Sequence, residues 1–155
     1  GSIEQHLHRD ARLLWPEWDK SHPSTTLVIN VPVTDTDESN GSTEIWPGTH
    51  VLPGELTEAC IEARRAQVPP VRANTTKGDI FIRDIRLWHR GVPNPSDRFR
   101  HMIAMVHHMA WYRRHGRLKY QKGCEDAFAD CPLDHNAEFV DTCPDYLFGP
   151  LLPHS

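Results

Sequence analysis

The sequence predicts a mainly all-β fold, a sandwich or jelly roll decorated with one or two helices. Three observations support this class: short β-branched segments, frequent turn signals from 13 Pro and 9 Gly, and a single strong helical period. At 155 residues the chain is long enough for one domain with a core. We expect that domain over residues 1–155, with its core at 3–112 and an irregular extension at 113–155.

The first half of the chain predicts one long strand and one helix. Residues 25–33 (TTLVINVPV) are β-branched and apolar and close near a proline, which is typical of a strand. A polar loop with an Asn-Gly turn follows at 34–42, and a segment interrupted by Pro and Gly at 45–52. Residues 55–67 predict a helix that ends before Pro69-Pro70, since apolar residues recur at a period near 3.6: Leu56, Ala59, Cys60, Ala63 and Ala66.

The second half predicts short strands around Pro-rich and Gly-rich turns. We expect strands at 71–75, 80–82 and 87–89, and a loop at 91–97. The apolar run 100–111 has no decisive period. A strand is favoured over a helix there, because the run follows a turn and would close a sheet.

Composition excludes several classes of protein. The net charge of -4 does not indicate a general nucleic-acid binder, and no apolar run is long enough to span a membrane. The amino end lacks a signal-peptide pattern, so we expect a cytoplasmic protein whose four cysteines are reduced. Residues 83–122 hold ten of the 17 basic residues and two of the 21 acidic ones. This segment could create a positive electrostatic field that attracts an anionic small molecule, or it could be a solvated basic face that binds no ligand.

The 11 histidines raise the expectation of a metal site. On a strand, residues two apart share a face, so His8 and Asp10 can converge on one ion, and His89 can supply a third ligand from a distant strand. Two histidines and one carboxylate leave three positions open, as in non-haem Fe(II) oxygenases, for a 2-oxo acid and O2. Arg100 offers a planar fork for the far carboxylate of such an acid, with Arg98 as the weaker alternative.

Several short motifs follow one another in order over residues 3–108: Gln5-x-x-His8-x-Asp10, Asn40-Gly41, Pro47-Gly48-Thr49-His50, Gly78-Asp79 and His89-x-x-x-x-Asn94 before Arg100. Their order and spacing resemble the phytanoyl-CoA dioxygenase family of iron(II)/2-oxoglutarate oxygenases. The resemblance implies a double-stranded β-helix in which His8, Asp10 and His89 bind Fe(II). It also implies that Arg100 holds the 2-oxoglutarate carboxylate, and that Gln5 and Thr49 touch this co-substrate.

The function that the resemblance implies is hydroxylation of a small organic molecule, with O2 consumed and succinate and CO2 released. Halogenation is disfavoured because Asp10 fills the ligand position that halide would use. Trp15, Trp46 and His50 are candidates for a substrate pocket, or else ordinary core and turn residues.

Two other functions stay open at this point. Family members normally carry a substantial region before the His-x-Asp motif, so this chain is either part of a longer protein or an abbreviated domain. A non-catalytic β-sandwich module that retains the pattern is one alternative. A cupin-like hydrolase or isomerase that uses Zn or Mn is the other.

Overall fold

The computed structural model describes residues 3–18, 20–112, 116–142 and 145. Contacts divide the chain into two compact units, residues 1–112 and 113–155, where the sequence predicts a single domain. The secondary structure of the first unit consists mainly of short strands: β1 (Thr26–Pro32), β2 (Glu44–Ile45), α1 (Glu58–Gln67), β3 (Val71–Arg72), β4 (Phe81–Asp84), β5 (His89–Arg90) and β6 (Met102–His108), with 3₁₀ helices at Glu38–Asn40 and Thr49–Val51.

The larger sheet of the first unit is antiparallel, with strand order β4-β1-β6. Strand β1 alternates buried and half-buried residues along its whole length, as expected of a strand with two chemically different faces. Ile29 pairs with Ile82 on β4 and with Met105 on β6, which fixes the register. The prediction of strands near 25–33 and 100–111 agrees with β1 and β6.

The smaller sheet has the order β3-β2-β5, and each of its strands is two residues long. Glu44 on β2 lies opposite Arg90 on β5 and binds its guanidinium through both carboxylate oxygens, at 2.9 and 3.0 Å. Ile45 lies opposite His89. This fork-to-fork ion pair compensates for the few backbone hydrogen bonds of such short strands.

Helix α1 begins three residues later than predicted, because Thr57 caps it by accepting a hydrogen bond from Cys60 N at 3.3 Å. The small apolar residues expected to face the core are exposed. Alanine side chains bury little area, and two longer residues of the helix, Arg64 and Arg65, make the contacts instead. Arg64 donates to the carbonyl of Pro47, and the guanidinium of Arg65 lies 5.1 Å from the centre of the Trp46 ring.

The core of the first unit is small and centred on two indoles. Trp46 and Trp88 are each 1% exposed, and their ring centres are 6.1 Å apart. Trp46 N donates to Trp88 O at 3.0 Å, which connects the segment after β2 to the segment before β5.

The predicted Asn-Gly turn is closely packed. Gly41 has a φ of 84°, and a side chain there would meet the carbonyl of Pro93. The predicted Asn-Gly turn therefore needs its glycine.

The second unit contains more regular structure than the irregular extension that the sequence predicts. It holds a parallel pair of strands, β7 (Leu118–Gln121) and β8 (Ala137–Val140), and a short helix, α2 (Asp126–Ala129). Aromatic contacts join the three elements: Phe128 lies 5.0 Å from Tyr120 and 5.4 Å from Phe139, between ring centres. These rings are widely spaced in the sequence, so no local hydrophobic period predicts that they pack together.

Two further expectations concern cysteines and membranes. Cys60, Cys124 and Cys131 are free thiols, and Cys143 lies outside the described residues. Within the described ranges, no helix has the length and apolar character needed to cross a bilayer.

Candidate metal centre

The backbone brings the two predicted histidine ligands together directly. His8 and His89 form an antiparallel bridge, in which each backbone N–H donates to the carbonyl of the other, at 3.1 and 3.0 Å. Asp10 N donates to Ile85 O at 3.1 Å, which extends the same alignment. Since side chains opposite each other on paired strands share a face, both imidazoles lie on one side, 4.5 Å apart between ring centres.

The ligand atoms of His8, Asp10 and His89 lie within 4.8 Å of one another. His8 Nε2 is 3.5 Å from Asp10 Oδ1, and His89 Nε2 is 3.6 Å from Asp10 Oδ2. A first-row ion lies about 2 Å from each ligand atom, so adjacent ligands on an octahedron are roughly 3 Å apart. The three predicted ligands are therefore placed together at a spacing close to what such an ion requires.

Each histidine is oriented by a carbonyl two residues earlier in the chain. Nδ1 of His8 lies 2.8 Å from the His6 carbonyl, and Nδ1 of His89 lies 2.9 Å from the Leu87 carbonyl. A carbonyl only accepts hydrogen bonds, so Nδ1 carries the proton and Nε2 keeps its lone pair in the neutral ring. Metal-binding histidines in proteins are commonly held by such a partner on the second nitrogen.

The electrostatics of the site favour the metal-binding form of two ligands. Burial alone raises the pKa of the Asp10 carboxyl, but hydrogen bonds from His8 and Arg83 outweigh it and hold that pKa well below its ordinary value. Burial lowers the pKa of His89, and the charge of Arg83 lowers it further. The hydrogen bond to Asp10 raises the pKa of His8. Near neutral pH, Asp10 is thus anionic and His89 neutral, as metal binding requires.

His89 is presented by a tightly bonded turn between β4 and β5. Asp84 binds Arg86 through both carboxylate oxygens, and the Arg86 side chain is 2% exposed. Nη1 of Arg86 also donates to the His22 carbonyl at 2.9 Å, and Ser24 donates to Asp84. The turn therefore has a polar network at its base, and the carbonyl of Ile85 within it receives the Asp10 N–H.

Arg83 is a site residue that the sequence did not single out. Its Nη2 donates to Asp10 Oδ2 at 2.7 Å, and its side chain is 10% exposed. It lies opposite Val28 in the β4–β1 pairing, on the face that β1 buries. The available signal was a charged residue that follows the apolar pair Phe81-Ile82 and lies opposite a buried position of β1, and the basic residues nearby in the sequence obscured it.

The three predicted co-substrate contacts are placed differently from one another. Gln5 accepts a hydrogen bond from Gly91 N at 2.8 Å through its side-chain oxygen. The Thr49 hydroxyl, 1% exposed, donates to Trp46 O at 2.7 Å and accepts from Trp88 N at 2.9 Å. Arg100 Nε is buried without a hydrogen-bond partner in the described part of the chain. Contact of these residues with a co-substrate stays a prediction.

The three candidate residues of a substrate pocket also lie in different environments. Trp46 is buried in the core and donates to Glu44 at 3.0 Å. Trp15 is 39% exposed and stacks on Trp18, with ring centres 4.7 Å apart. His50 is half-buried in the 3₁₀ helix that Thr49 begins. Their binding of a substrate stays a prediction.

Comparisons with known proteins identify the family of the chain. A family model described as phytanoyl-CoA dioxygenase (PhyH) matches residues 1–102, which include the three candidate ligands and Arg100. Among solved structures, the chain is similar to EvdMO1, with 28% identity and a TM-score of 0.54. It is also similar to AviO1 from Streptomyces viridochromogenes Tue57, with 24% identity and a TM-score of 0.59.

A third similar structure is that of EctD from S. alaskensis, solved with 2-oxoglutarate and 5-hydroxyectoine, with 19% identity and a TM-score of 0.55. EctD has also been solved with bound Fe. The matches to EvdMO1, AviO1 and EctD cover 68%, 73% and 68% of this chain, but 23%, 47% and 38% of those proteins. The prediction of a β-rich double-stranded β-helix fold is confirmed, and the chain spans less than half the length of these relatives.

Proposed function

Because the chain belongs to the phytanoyl-CoA dioxygenase family, we propose that it is an iron(II)- and 2-oxoglutarate-dependent dioxygenase that hydroxylates a small organic molecule. The observation that carries this proposal is the convergence of His8, Asp10 and His89, whose ligand atoms lie within 4.8 Å of one another. A second support is that two structures of EctD contain 2-oxoglutarate or Fe.

The donor set fits iron(II). His8 and His89 would bind it through Nε2, because Nδ1 of each is engaged with a carbonyl, and Asp10 would bind it through one carboxylate oxygen. When bound, iron(II) supplies the redox chemistry by which O2 and 2-oxoglutarate become succinate and CO2 while the substrate is hydroxylated. The protein itself would hold the ion through these three side chains, whose ligand atoms lie within 4.8 Å of one another.

Arg100 would bind the distal carboxylate of 2-oxoglutarate. Its Nε is buried and unpartnered in the described residues, and a buried guanidinium nitrogen requires an acceptor. Thr49 is less suited to direct contact, since its only donor hydrogen is committed to Trp46 O. Gln5 still has its amide N–H groups, because only its oxygen is bonded to Gly91.

The Arg100 assignment predicts a selective kinetic defect. A hydrogen bond to a charged group is worth about 1.5–3 kcal/mol. Arg100→Met should therefore raise KM for 2-oxoglutarate roughly 10-fold to 100-fold. Steady-state succinate formation at varied 2-oxoglutarate measures this effect. Arg98→Met is the matched control, because Arg98 is a nearby exposed arginine. An equal rise in KM in both variants would contradict the assignment.

The function itself is tested by loading the chain with Fe(II) without oxygen and then adding O2 and 2-oxoglutarate. Succinate should form, even without a primary substrate, and its formation should be lost in Asp10→Ala and His89→Ala. His101→Ala removes an exposed histidine outside the cluster and should keep the activity. Absence of both metal binding and succinate would favour a non-catalytic β-sandwich module.

A cupin-like hydrolase or isomerase would behave differently in the same experiment. It would bind Zn(II) or Mn(II) tightly at the same three side chains, but 2-oxoglutarate would change neither the binding nor the oxygen consumption. The succinate measurement and a metal titration with and without 2-oxoglutarate therefore separate all three functions.

A further inference from the structure

Arg83 makes the shortest polar contact with the three candidate metal ligands, His8, Asp10 and His89. Its Nη2 lies 2.7 Å from Asp10 Oδ2, and its side chain is 10% exposed against 33% for Asp10. The two residues are 73 positions apart in sequence, so the contact depends on the folded sheet and not on local geometry. At this length the hydrogen bond is charge-assisted, and bonds of this kind are roughly twice as strong as neutral ones.

The two oxygens of Asp10 consequently have different surroundings. Oδ2 accepts the hydrogen bond from Arg83 and lies 3.6 Å from His89 Nε2. Oδ1 lies 3.5 Å from His8 Nε2 and has no contact with the guanidinium in the described structure. A cation that approaches Oδ2 meets the positive charge of Arg83, whereas Oδ1 offers its lone pairs without that repulsion.

We propose that Arg83 is a positioning residue of the metal centre: by holding Oδ2, it restricts Asp10 to one coordinating oxygen. An octahedral ion has six positions, and three protein atoms leave three of them free. A carboxylate that bound through both oxygens would occupy a fourth position. Too few would then remain for a two-point co-substrate together with O2. This inference rests on the proposed iron(II) site and explains how its open positions are kept.

The test counts the water molecules bound to Mn(II) in the chain, in place of iron and without 2-oxoglutarate or turnover. Broadening of the Mn(II) electron paramagnetic resonance lines in ¹⁷O-enriched water reports this number. The wild type should bind Mn(II) with three waters, and Arg83→Met with two, because the released carboxylate turns both oxygens to the ion. Arg83→Lys keeps a cationic donor and should restore the third water.

Arg90→Met is the matched control. Arg90 adjoins His89 and is bound through both carboxylate oxygens of Glu44, but it has no contact with Asp10. Its loss removes an ion pair of the same type and should leave three waters. If Arg83→Met does not fold, Arg83→Gln replaces it, since glutamine is polar but too short to reach Oδ2. Three waters in a folded Arg83→Met or Arg83→Gln variant would overturn the proposal, as would two in Arg90→Met.

Failure of this inference can be told apart from failure of the proposed function. A wild type with three Mn-bound waters that loses one in Arg83→Met, yet forms no succinate with Fe(II), would overturn the oxygenase function alone. Succinate formation in a wild type whose water count is unchanged by Arg83→Met would overturn the positioning role alone. A wild type that does not bind Mn(II) would overturn the positioning role, and the succinate assay then decides the function separately.

Discussion

At the scale of single residues, one hydroxyl joins the two halves of the core. Thr49 donates to the carbonyl of Trp46 and accepts from the N–H of Trp88, the residue before the distal histidine. The sequence identifies Thr49 only through a motif and cannot reveal these two backbone partners. Because both partners are backbone groups in a buried region, the hydroxyl satisfies polar atoms that water does not reach.

Replacing this hydroxyl by a methyl group should destabilise the fold. Thr49→Val preserves the shape but leaves Trp88 N–H without its acceptor, so the free energy of unfolding should fall by about 1–3 kcal/mol. Thr49→Ser keeps the hydroxyl and should lose less. Urea denaturation followed by tryptophan fluorescence measures both values. A larger loss in Thr49→Ser than in Thr49→Val would mean that the methyl group, and not the hydrogen bonds, is the important part of Thr49.

At the scale of elements, the turn between β4 and β5 determines where His89 lies. The Asp84–Arg86 ion pair and its bonds to Ser24 and His22 occupy the interior of this turn. Burial raises the pKa of Asp84, but the hydrogen bonds from Arg86 and Ser24 outweigh it and leave that pKa below the ordinary value of 3.8. The ion pair thus stabilises the fold fully above pH 3.8, and this stabilisation decreases as the pH falls below 3.8.

The contribution of this ion pair to stability should therefore decrease as the pH is lowered. Asp84→Asn should cost about 3–5 kcal/mol at pH 7, because Arg86 is left buried without its charge partner. The difference from the wild type should begin to shrink as the pH falls below 3.8, where the carboxyl of the unfolded chain takes up a proton, and should be lost as the pH falls through the lower pKa of the folded chain. Denaturation at several pH values measures it, with exposed Asp97→Asn as the control.

A less destabilising variant tests the same carboxylate in case Asp84→Asn does not fold. Ser24→Ala removes one hydrogen bond to the same carboxylate and should show the same trend with a smaller amplitude. A difference from the wild type that stays constant between pH 7 and acid would show that the charge of Asp84 is unimportant to the turn.

The elements also show how far the sequence determines the fold. Strands β1 and β6 are predictable because long β-branched or apolar runs leave few alternatives. The two-residue strands β2 and β5 are not, because distant partners define them: Glu44 with Arg90, and His8 with His89. Arg83 was missed for the same reason, since its partner Asp10 is remote in sequence. The motif spacing identified the three candidate metal ligands because two of them are only two residues apart.

At the scale of the whole first unit, one face of the larger sheet is apolar and open to solvent. Ile82, Ile103 and Met105 are 56%, 52% and 41% exposed. Ile29 lies between Ile82 and Met105 in the register, so these side chains form one continuous patch. Contiguous exposed apolar surface of this kind is rare on folded monomeric proteins.

This patch should make the folded chain bind a hydrophobic dye. Lysine at positions 82 and 105, introduced as Ile82→Lys and Met105→Lys, should decrease dye fluorescence and change stability by no more than about 0.5 kcal/mol per site. Val28→Ala, on the buried face of β1, should instead cost about 2 kcal/mol. Dye emission at equal protein concentration and thermal denaturation measure the two effects. Unchanged emission in the double lysine variant would place the dye elsewhere.

The bridge between His8 and His89 has a consequence for the unfolding of the chain. A cation held by both rings would join two segments separated by about 80 residues in the folded chain, and it would stabilise the folded state by about 2.7 kcal/mol at a free concentration of about 100 times its Kd. Metal would then act as a reversible staple across most of the first unit. A protease should cut the chain more slowly once the metal is added, and a chelator should restore the original rate of cleavage.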